Sequence, residues 1–185
     1  SDLLGGDSNK SIPAAVAVEL VHNFSLIHDD LQDGTPRRHN RPTVWFLWGP
    51  AQAINAGDAM HAVGRLSLFR LMEEEVPYPK VLEGVRLLDE AALRLCEGRY
   101  RFLAYQERID ITEAQYMEMA EAKAGALMGC AMELGALLVA KDAKESKAFG
   151  ICGQKLGVAL EIAQEIQAVW RRPESVEGPP GEVLN

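Results

Sequence analysis

Basic residues are scarce in this 185-residue sequence, where 19 Lys and Arg stand against 27 Asp and Glu for a formal net charge of −8. A chain this acidic is repelled by nucleic acid and by anionic membranes, so neither is expected as a partner. Cysteine is also rare, and Cys96, Cys130 and Cys152 show no metal-ligand spacing. We therefore expect structural thiols in a reducing, cytoplasmic compartment.

Long apolar runs and strand patterns are missing as well. The longest apolar run, residues 124–140, is interrupted by Glu133 and is too short to span a membrane. No strand pattern reaches four residues outside positions 44–47. What remains is helical periodicity in a chain of ordinary globular composition. It predicts one all-α domain, an antiparallel bundle with mostly short loops.

Capping residues and prolines divide the chain into five predicted helices. They cover residues 12–33, 50–75, 80–108, 112–141 and 142–170, with a loop at 34–42 and an aromatic turn at 43–48. Thr112 with Gln115 predicts a capping box, and Asp142 with Glu145 a further N-cap. Residues 171–185 are predicted to be a loop or disordered tail. Glycines within the helices predict close helix–helix contact or room for an apolar ligand: Gly64, Gly84, Gly98, Gly125, Gly129, Gly135 and Gly157.

Three carboxylates, Asp29, Asp30 and Asp33, stand together where the first predicted helix ends. Residues three and four apart share a helix face, so Asp29 and Asp33 stack one turn apart with Asp30 beside them. Their mutual repulsion and the helix dipole both oppose this arrangement, and a hard cation such as Mg²⁺ would reverse both effects. Arg37 and Arg38 follow and are suited to phosphate recognition. The residues predict a metal–diphosphate site, and the alternative is a solvated acidic surface.

The stretch Leu-Ile-His-Asp-Asp-Leu-Gln-Asp at 26–33, with Arg-Arg-His-Asn-Arg-Pro-Thr-Val-Trp at 37–45, resembles the first aspartate-rich motif of the trans-isoprenyl diphosphate synthases, the polyprenyl synthetase family. The resemblance continues through residues 53–58, 97–100 and 123–127, and the chain corresponds to the middle of a family member. It implies a single helical domain over residues 1–185 of the isoprenoid synthase (terpenoid synthase) type, incomplete at both ends. It also implies a homodimer, as is usual in the family.

The activity implied by this resemblance is a Mg²⁺-dependent condensation of an allylic prenyl diphosphate with isopentenyl diphosphate. Arg37 and Arg38 match an arginine pair of the family, with Arg38 expected on isopentenyl diphosphate, and Lys123 matches a lysine that contacts the allylic diphosphate. The expected metal ligands are the three aspartates, and the expected catalytic residues are Asp29, Asp30, Asp33 and Lys123.

Product length is implied by the side chains just before the aspartates. Phe24 and Ser25, five and four residues before Asp29, match the position that forms the floor of the family's substrate pocket. A bulky aromatic side chain there predicts short products, C15 to C20. Packing of Phe24 in the core is the bland alternative, and the two interpretations do not exclude each other.

The sequence departs from the family in four places. An upstream Gly-Lys-Arg stretch and the C-terminal helices lie outside the chain, and Ala124 stands where Thr usually follows the lysine. Gln164 and Glu165 occupy the places of two aspartates in a second motif, and Glu161 the place of a Gln. Glu161 and Glu165 are then expected to bind substrate in partial substitution. A weak or silent subunit that partners an active synthase, a diverged terpene cyclase and a plain helical scaffold remain open alternatives.

Overall fold

The structure, a computed structural model, describes residues 4–140 and 142–170. That part of the chain is almost entirely helical, which confirms the all-α prediction. Its elements are α1 Ile12–Gln32, β1 Arg37–Arg38, β2 Arg41–Pro42, α2 Val44–Trp48, α3 Pro50–Phe69, α4 Tyr78–Tyr105, α5 Glu113–Ala120, α6 Ala126–Leu137 and α7 Ala143–Trp170. Short 3₁₀ turns lie at Ser8–Ser11 and Arg70–Met72, and a π-helical turn, Glu121–Gly125, joins α5 to α6. Within the described residues, no helix is both long and apolar enough to cross a membrane.

Side-chain caps start the last helices where the sequence predicts them. The Thr112 hydroxyl accepts a hydrogen bond from the Gln115 backbone N–H, and the Gln115 side chain accepts one from the Thr112 N–H, which completes the capping box of α5. Before α7, Asp142 Oδ1 accepts 2.9 Å hydrogen bonds from the backbone N–H groups of Lys144 and Glu145. These bonds satisfy N–H groups that have no partner inside their helices.

The predicted aromatic turn at 43–48 is a short helix, α2, and α4 is shifted by two to three residues from the predicted 80–108. Two other helices differ more from the predicted bounds. α3 ends at Phe69 rather than near residue 75, because the chain tightens into a 3₁₀ turn and Glu75 then adopts a φ of 61°. The predicted helix at 112–141 is interrupted by the π-helical turn, which places Lys123 at its centre. Such turns arise from tertiary packing and are frequent at functional sites.

A small hairpin occupies the predicted loop at residues 34–42. β1 pairs antiparallel with β2, and Arg38 lies opposite Arg41. His39 and Asn40 have φ values of 48° and 61°, and positive φ at both central residues is typical of a two-residue type I′ turn. The hairpin holds Arg38 beside the C-terminal end of α1.

The core lies between α1, α3, α4 and α6. Each helix contributes a fully buried aliphatic side chain: Val21, Leu68, Leu88 and Leu134. Burial of one such side chain contributes about 1.5–3 kcal/mol. This packing fixes the end of α1 against α4, where the carboxylates lie.

Two glycines allow backbone contact around the π-helical turn. A methyl group on Gly98 of α4 would lie 2.3 Å from the Lys123 backbone nitrogen, and one on Gly157 of α7 would lie 2.6 Å from the Ala124 carbonyl oxygen. No side chain fits at such distances, so the predicted close helix–helix contact is confirmed at both positions. The approach of α4 and α7 also brings Lys123 near the end of α1.

Candidate active site

A cavity of about 600 Å³ opens between α1, α4, α6 and α7. Seven of its lining residues are charged, and they come from several elements around the cavity: Glu19, Asp29, Asp33, Arg38, Arg99, Lys123 and Glu161. Other lining residues are mostly apolar or small, among them Leu26, Leu95, Leu127 and Leu160. The cavity therefore combines an ionic region with a hydrocarbon-like wall.

Most of the charged lining residues lie toward one end of the cavity. Along α1 the lining runs from Val18 to Asp29, a separation of roughly 16 Å at the helical rise. Leu95 lies about one turn before Arg99 on α4. Leu127 lies about one turn after Lys123, at the start of α6. Apart from Glu19, the charged groups thus gather at the C-terminal end of α1, which we call the charged end.

Arg99 lies between two of the predicted metal ligands. Its Nη2 donates a 2.6 Å hydrogen bond to Asp33 Oδ1, and its Nε lies 2.9 Å from Asp29 Oδ1. The Nε also donates to Gln32 Oε1 at 2.8 Å. Arg99 is only 7% exposed. One buried guanidinium therefore compensates two carboxylates one helical turn apart.

Burial governs the ionisation of Asp29. It raises the pKa of the Asp29 carboxyl, Arg99 opposes the rise, and the negative charge of Asp33 adds to it. The direction shows that the attraction of Arg99 does not fully offset the loss of hydration.

Asp30 is buried and holds Arg38. Arg38 Nε donates a 3.0 Å hydrogen bond to Asp30 Oδ1, and Nη2 lies 2.8 Å from the same oxygen. This hydrogen bond raises the pKa of the Arg38 guanidinium, which stays charged. Asp30 thereby orients Arg38 toward the cavity. Arg37 is exposed in β1 and is not among the lining residues.

Lys123 faces α7 across the cavity. Its Nζ makes a close ion pair with Glu161 and lies 4.4 Å from the ring centroid of Phe102. Arg99 Cζ lies 5.2 Å from the same centroid. A ring face carries partial negative charge, so Phe102 supports both cations while lining the cavity.

Two sequence-predicted substrate contacts lie away from the cavity. Phe24 is buried against α3, with its ring centroid 5.0 Å from that of His28 and 5.4 Å from that of His61. Its neighbour Ser25 does line the cavity. Glu165 accepts a 2.6 Å hydrogen bond from the Tyr116 hydroxyl and is not a lining residue. The interpretation of Phe24 as core packing is the one that its position fits.

The pKa of Tyr116 is shifted in the same region. Burial, followed by the hydrogen bond to Glu165, raises the pKa of the Tyr116 phenol, so the hydroxyl keeps its proton and remains a donor. Gln164, one residue before Glu165, does line the cavity with a neutral amide.

The carboxylates, as arranged, do not fit a resident divalent ion. Asp29 and Asp33 are engaged by Arg99, Asp30 by Arg38 and Glu161 by Lys123. Over residues 4–140 and 142–170, no cluster of three or more His, Cys, Asp or Glu is suited to hold a metal ion. Hard cations need several free oxygen ligands, and a buried guanidinium in their midst repels them.

Arg99 was not predicted as a site residue. It lies in the 97–100 stretch that resembles the family, but 66 residues separate it from Asp33. One signal was available, because Arg99 continues the buried apolar stripe of α4 formed by Leu88, Ala92 and Leu95. A charged side chain on such a stripe is rarely buried without a partner.

Known proteins match this chain over nearly all of its length. Residues 2–180 match the polyprenyl synthetase family. The (2E,6E)-farnesyl diphosphate synthase of Mycobacterium tuberculosis is 39% identical, over 97% of this chain and 48% of that protein. The geranylgeranyl diphosphate synthase of the same organism is 37% identical, over 97% of this chain and 50% of that protein.

A solved structure agrees with the fold. The crystal structure of a polyprenyl synthetase from Streptomyces coelicolor A3(2) is similar with a TM-score of 0.84 at 35% identity, covering 95% of this chain and 50% of that one. The chain thus spans about half the length of the relatives it matches.

Proposed function

Because the chain belongs to the polyprenyl synthetase family, we propose that it provides the substrate cavity of a short-chain isoprenyl diphosphate synthase. The substrates are an allylic prenyl diphosphate and isopentenyl diphosphate, and the products are C15 to C20 prenyl diphosphates. One observation carries the proposal: the cavity has a charged end and an apolar wall, as a ligand with an ionic head and a hydrocarbon tail requires. The relatives named farnesyl and geranylgeranyl diphosphate synthases support the product range.

The diphosphate binds at the charged end, where Arg38, Arg99 and Lys123 are within reach. Arginine offers a planar pair of donors to phosphate oxygens, and lysine a mobile point charge. Lys123 and Arg38 are more available than Arg99, because each pairs with one carboxylate and their side chains are 22% and 38% exposed, against 8% for Arg99. Binding therefore transfers Lys123 from Glu161 to the diphosphate.

The reaction develops new negative charge on the diphosphate, next to the same cations. The allylic C–O bond breaks, and its electron pair goes to the departing diphosphate, whose growing negative charge Lys123 and Arg38 stabilise. The double bond of isopentenyl diphosphate attacks the allylic cation, and the adduct loses a proton to the released diphosphate. Phe102, beside Lys123, presents a ring face of negative partial charge to the carbocation.

The growing chain extends from the charged end in the direction of Val18. On α1, Ser25, His22 and Val18 line the cavity at successive turns below Asp29. We therefore assign the length limit to these residues rather than to Phe24, which packs against α3.

Several sequence predictions stay predictions. Mg²⁺ dependence through Asp29, Asp30 and Asp33 is one of them, because those carboxylates are paired with arginines here. A cytoplasmic homodimer is another. A second copy of the chain would cover the exposed apolar side chains of α2 and α3, namely Phe46, Leu47, Trp48, Val63 and Leu66. Light scattering of the purified protein would measure its mass and so test the dimer.

A weak or silent diphosphate-binding subunit is the second candidate. It is favoured by the pairing of Asp29, Asp33 and Glu161 with protein cations and by the neutral amide of Gln164. If the absence of the two aspartates limits turnover, the double substitution Gln164→Asp and Glu165→Asp increases chain extension. Unchanged turnover would show that the second motif is not the limiting feature.

The test is a chain-extension assay. Purified protein is mixed with Mg²⁺, isopentenyl diphosphate and geranyl or farnesyl diphosphate, and products are separated by mass. We expect C15 or C20 prenyl diphosphate, lost in Lys123→Met. The matched control is Lys155→Met, because Lys155 pairs with Glu121 at the surface and does not line the cavity. No product with retained diphosphate binding would favour the silent subunit, and neither product nor binding would contradict both candidates.

A further inference from the structure

We propose that the Arg99 guanidinium replaces a divalent cation between Asp29 and Asp33, so that the substrate-free protein has no tight Mg²⁺ site. The inference rests on the proposed function only in taking this cluster as the diphosphate end of the cavity. It concerns the free protein, and it can be tested without any prenyl substrate.

The geometry of Arg99 is that of a bridging counter-ion. Two different nitrogens of its guanidinium serve two different carboxylates, Nε at 2.9 Å from Asp29 and Nη2 at 2.6 Å from Asp33. The two aspartates lie one turn apart on α1, whereas Arg99 reaches them from α4. A cation placed between stacked carboxylates removes the repulsion that their spacing creates.

The surroundings keep Arg99 in that position. Its Nε donates to Gln32, its Cζ lies 5.2 Å from the Phe102 ring centroid, and its side chain is only 8% exposed. Moving it away would leave a buried charge without compensation, which is strongly unfavourable. Arg99 is therefore not a surface side chain that a metal ion displaces at little cost.

The charged end offers a divalent ion few other free oxygen ligands. Asp30 is engaged by Arg38, and Glu161 by Lys123. Gln164 offers a neutral amide oxygen. Mg²⁺ would thus have to share Asp29 and Asp33 with a fixed positive charge a few ångströms away, and like charges at that range repel strongly in a partly buried site.

The experiment measures binding of the metal ion alone. Mn²⁺ titration followed by electron paramagnetic resonance, and Mg²⁺ titration by calorimetry, are carried out on wild type and on Arg99→Gln. The matched control is Arg101→Gln, which removes the same charge from the same helix but breaks only the half-exposed pair with Glu118. We expect weak, non-saturating binding to wild type and Arg101→Gln, and binding at least about tenfold tighter to Arg99→Gln.

Stability provides a second measurement. Removal of Arg99 leaves Asp29 and Asp33 without their cation, so Arg99→Gln should melt at a lower temperature and recover on addition of Mg²⁺. Arg101→Gln should show no such recovery. If Arg99→Gln does not fold, the metal titration is carried out on Arg99→Lys instead. A lysine keeps the charge but cannot bridge both carboxylates. The metal affinity of Arg99→Lys should therefore exceed that of wild type.

Two results would overturn the inference. One is a wild-type site as tight as that of Arg99→Gln, and the other is no metal binding by any Arg99 variant that folds. Neither result bears on prenyl transfer, which the chain-extension assay tests separately. Conversely, a failure of chain extension would leave the metal titrations unaffected.

Discussion

Gly98→Ala should destabilise the protein far more than the same change at Gly84. Both glycines are buried in α4. At Gly98 an added methyl would lie 2.3 Å from the Lys123 backbone nitrogen and 2.7 Å from two further backbone atoms. At Gly84 it would meet only a Leu134 methyl group, at 3.2 Å. The first clash requires a helix to move, and the second only a small shift of a side chain.

The magnitudes follow from these contacts. Overpacking costs typically 1–3 kcal/mol, and a clash with backbone belongs at the upper end. Replacing a helical Gly with Ala returns about 1 kcal/mol. We expect a net loss of about 2 kcal/mol for Gly98→Ala, which lowers the melting temperature by roughly 4–8 °C in a chain of this size. For Gly84→Ala the small cost of the contact with Leu134 and the gain in helix propensity nearly cancel.

Urea and thermal unfolding of both variants measure the difference. Gly98→Ala should also weaken prenyl diphosphate binding, because α4 and the π-helical turn separate and Lys123 shifts from the charged end. Gly84→Ala should bind as wild type does. Equal midpoints for the two variants would refute the backbone contact between α4 and the π-helical turn.

Three further outcomes are expected. Ser25→Phe shortens the product in chain-extension assays because Ser25 lines the cavity, whereas Phe24→Leu leaves product length unchanged and lowers only the unfolding midpoint. Lys123→Met weakens prenyl diphosphate binding by about tenfold or more in calorimetry, since a charged hydrogen bond contributes about 1.5–3 kcal/mol. Burial raises the pKa of Cys130 to about 12. The thiolate is the reactive form, so at pH 8 iodoacetamide should label exposed Cys152 and spare Cys130 until urea is added, as mass spectrometry would show.

Local chemistry predicted those parts of the structure that depend on neighbours in sequence. The Thr112 capping box, the cap at Asp142 and the position of Asp29 at the end of a helix needed only the identities of nearby residues. The pairing of Arg38 with Asp30 is also local, since eight residues separate them, but it was not predicted, because Asp30 was expected to bind a metal ion and Arg38 a substrate.

The sequence alone could not predict which face of α1 points into the cavity. Phe24 and Ser25 are adjacent, and their side chains leave the helix about 100° apart. Phe24 shares the α3-facing side with His28, whereas Ser25 shares the cavity side with Asp29. Only the packing of distant helices decides which of the two faces the cavity.

Ion pairs between residues far apart in the sequence could not be predicted for a related reason. Arg99 meets Asp33 across 66 residues, and Lys123 meets Glu161 across 38. The π-helical turn that presents Lys123 depends on the backbone contact at Gly98. Charges that change the chemistry of the site come from elements whose relative placement is set by the core.

The most direct test of the proposed cavity is a crystal structure with farnesyl thiodiphosphate, an unreactive analogue of an allylic substrate. We expect its phosphate oxygens within hydrogen-bond distance of Lys123 and Arg38, and its hydrocarbon chain along Leu26 and Leu127. A diphosphate bound away from the charged end, or a chain lying outside the cavity, would contradict the proposal.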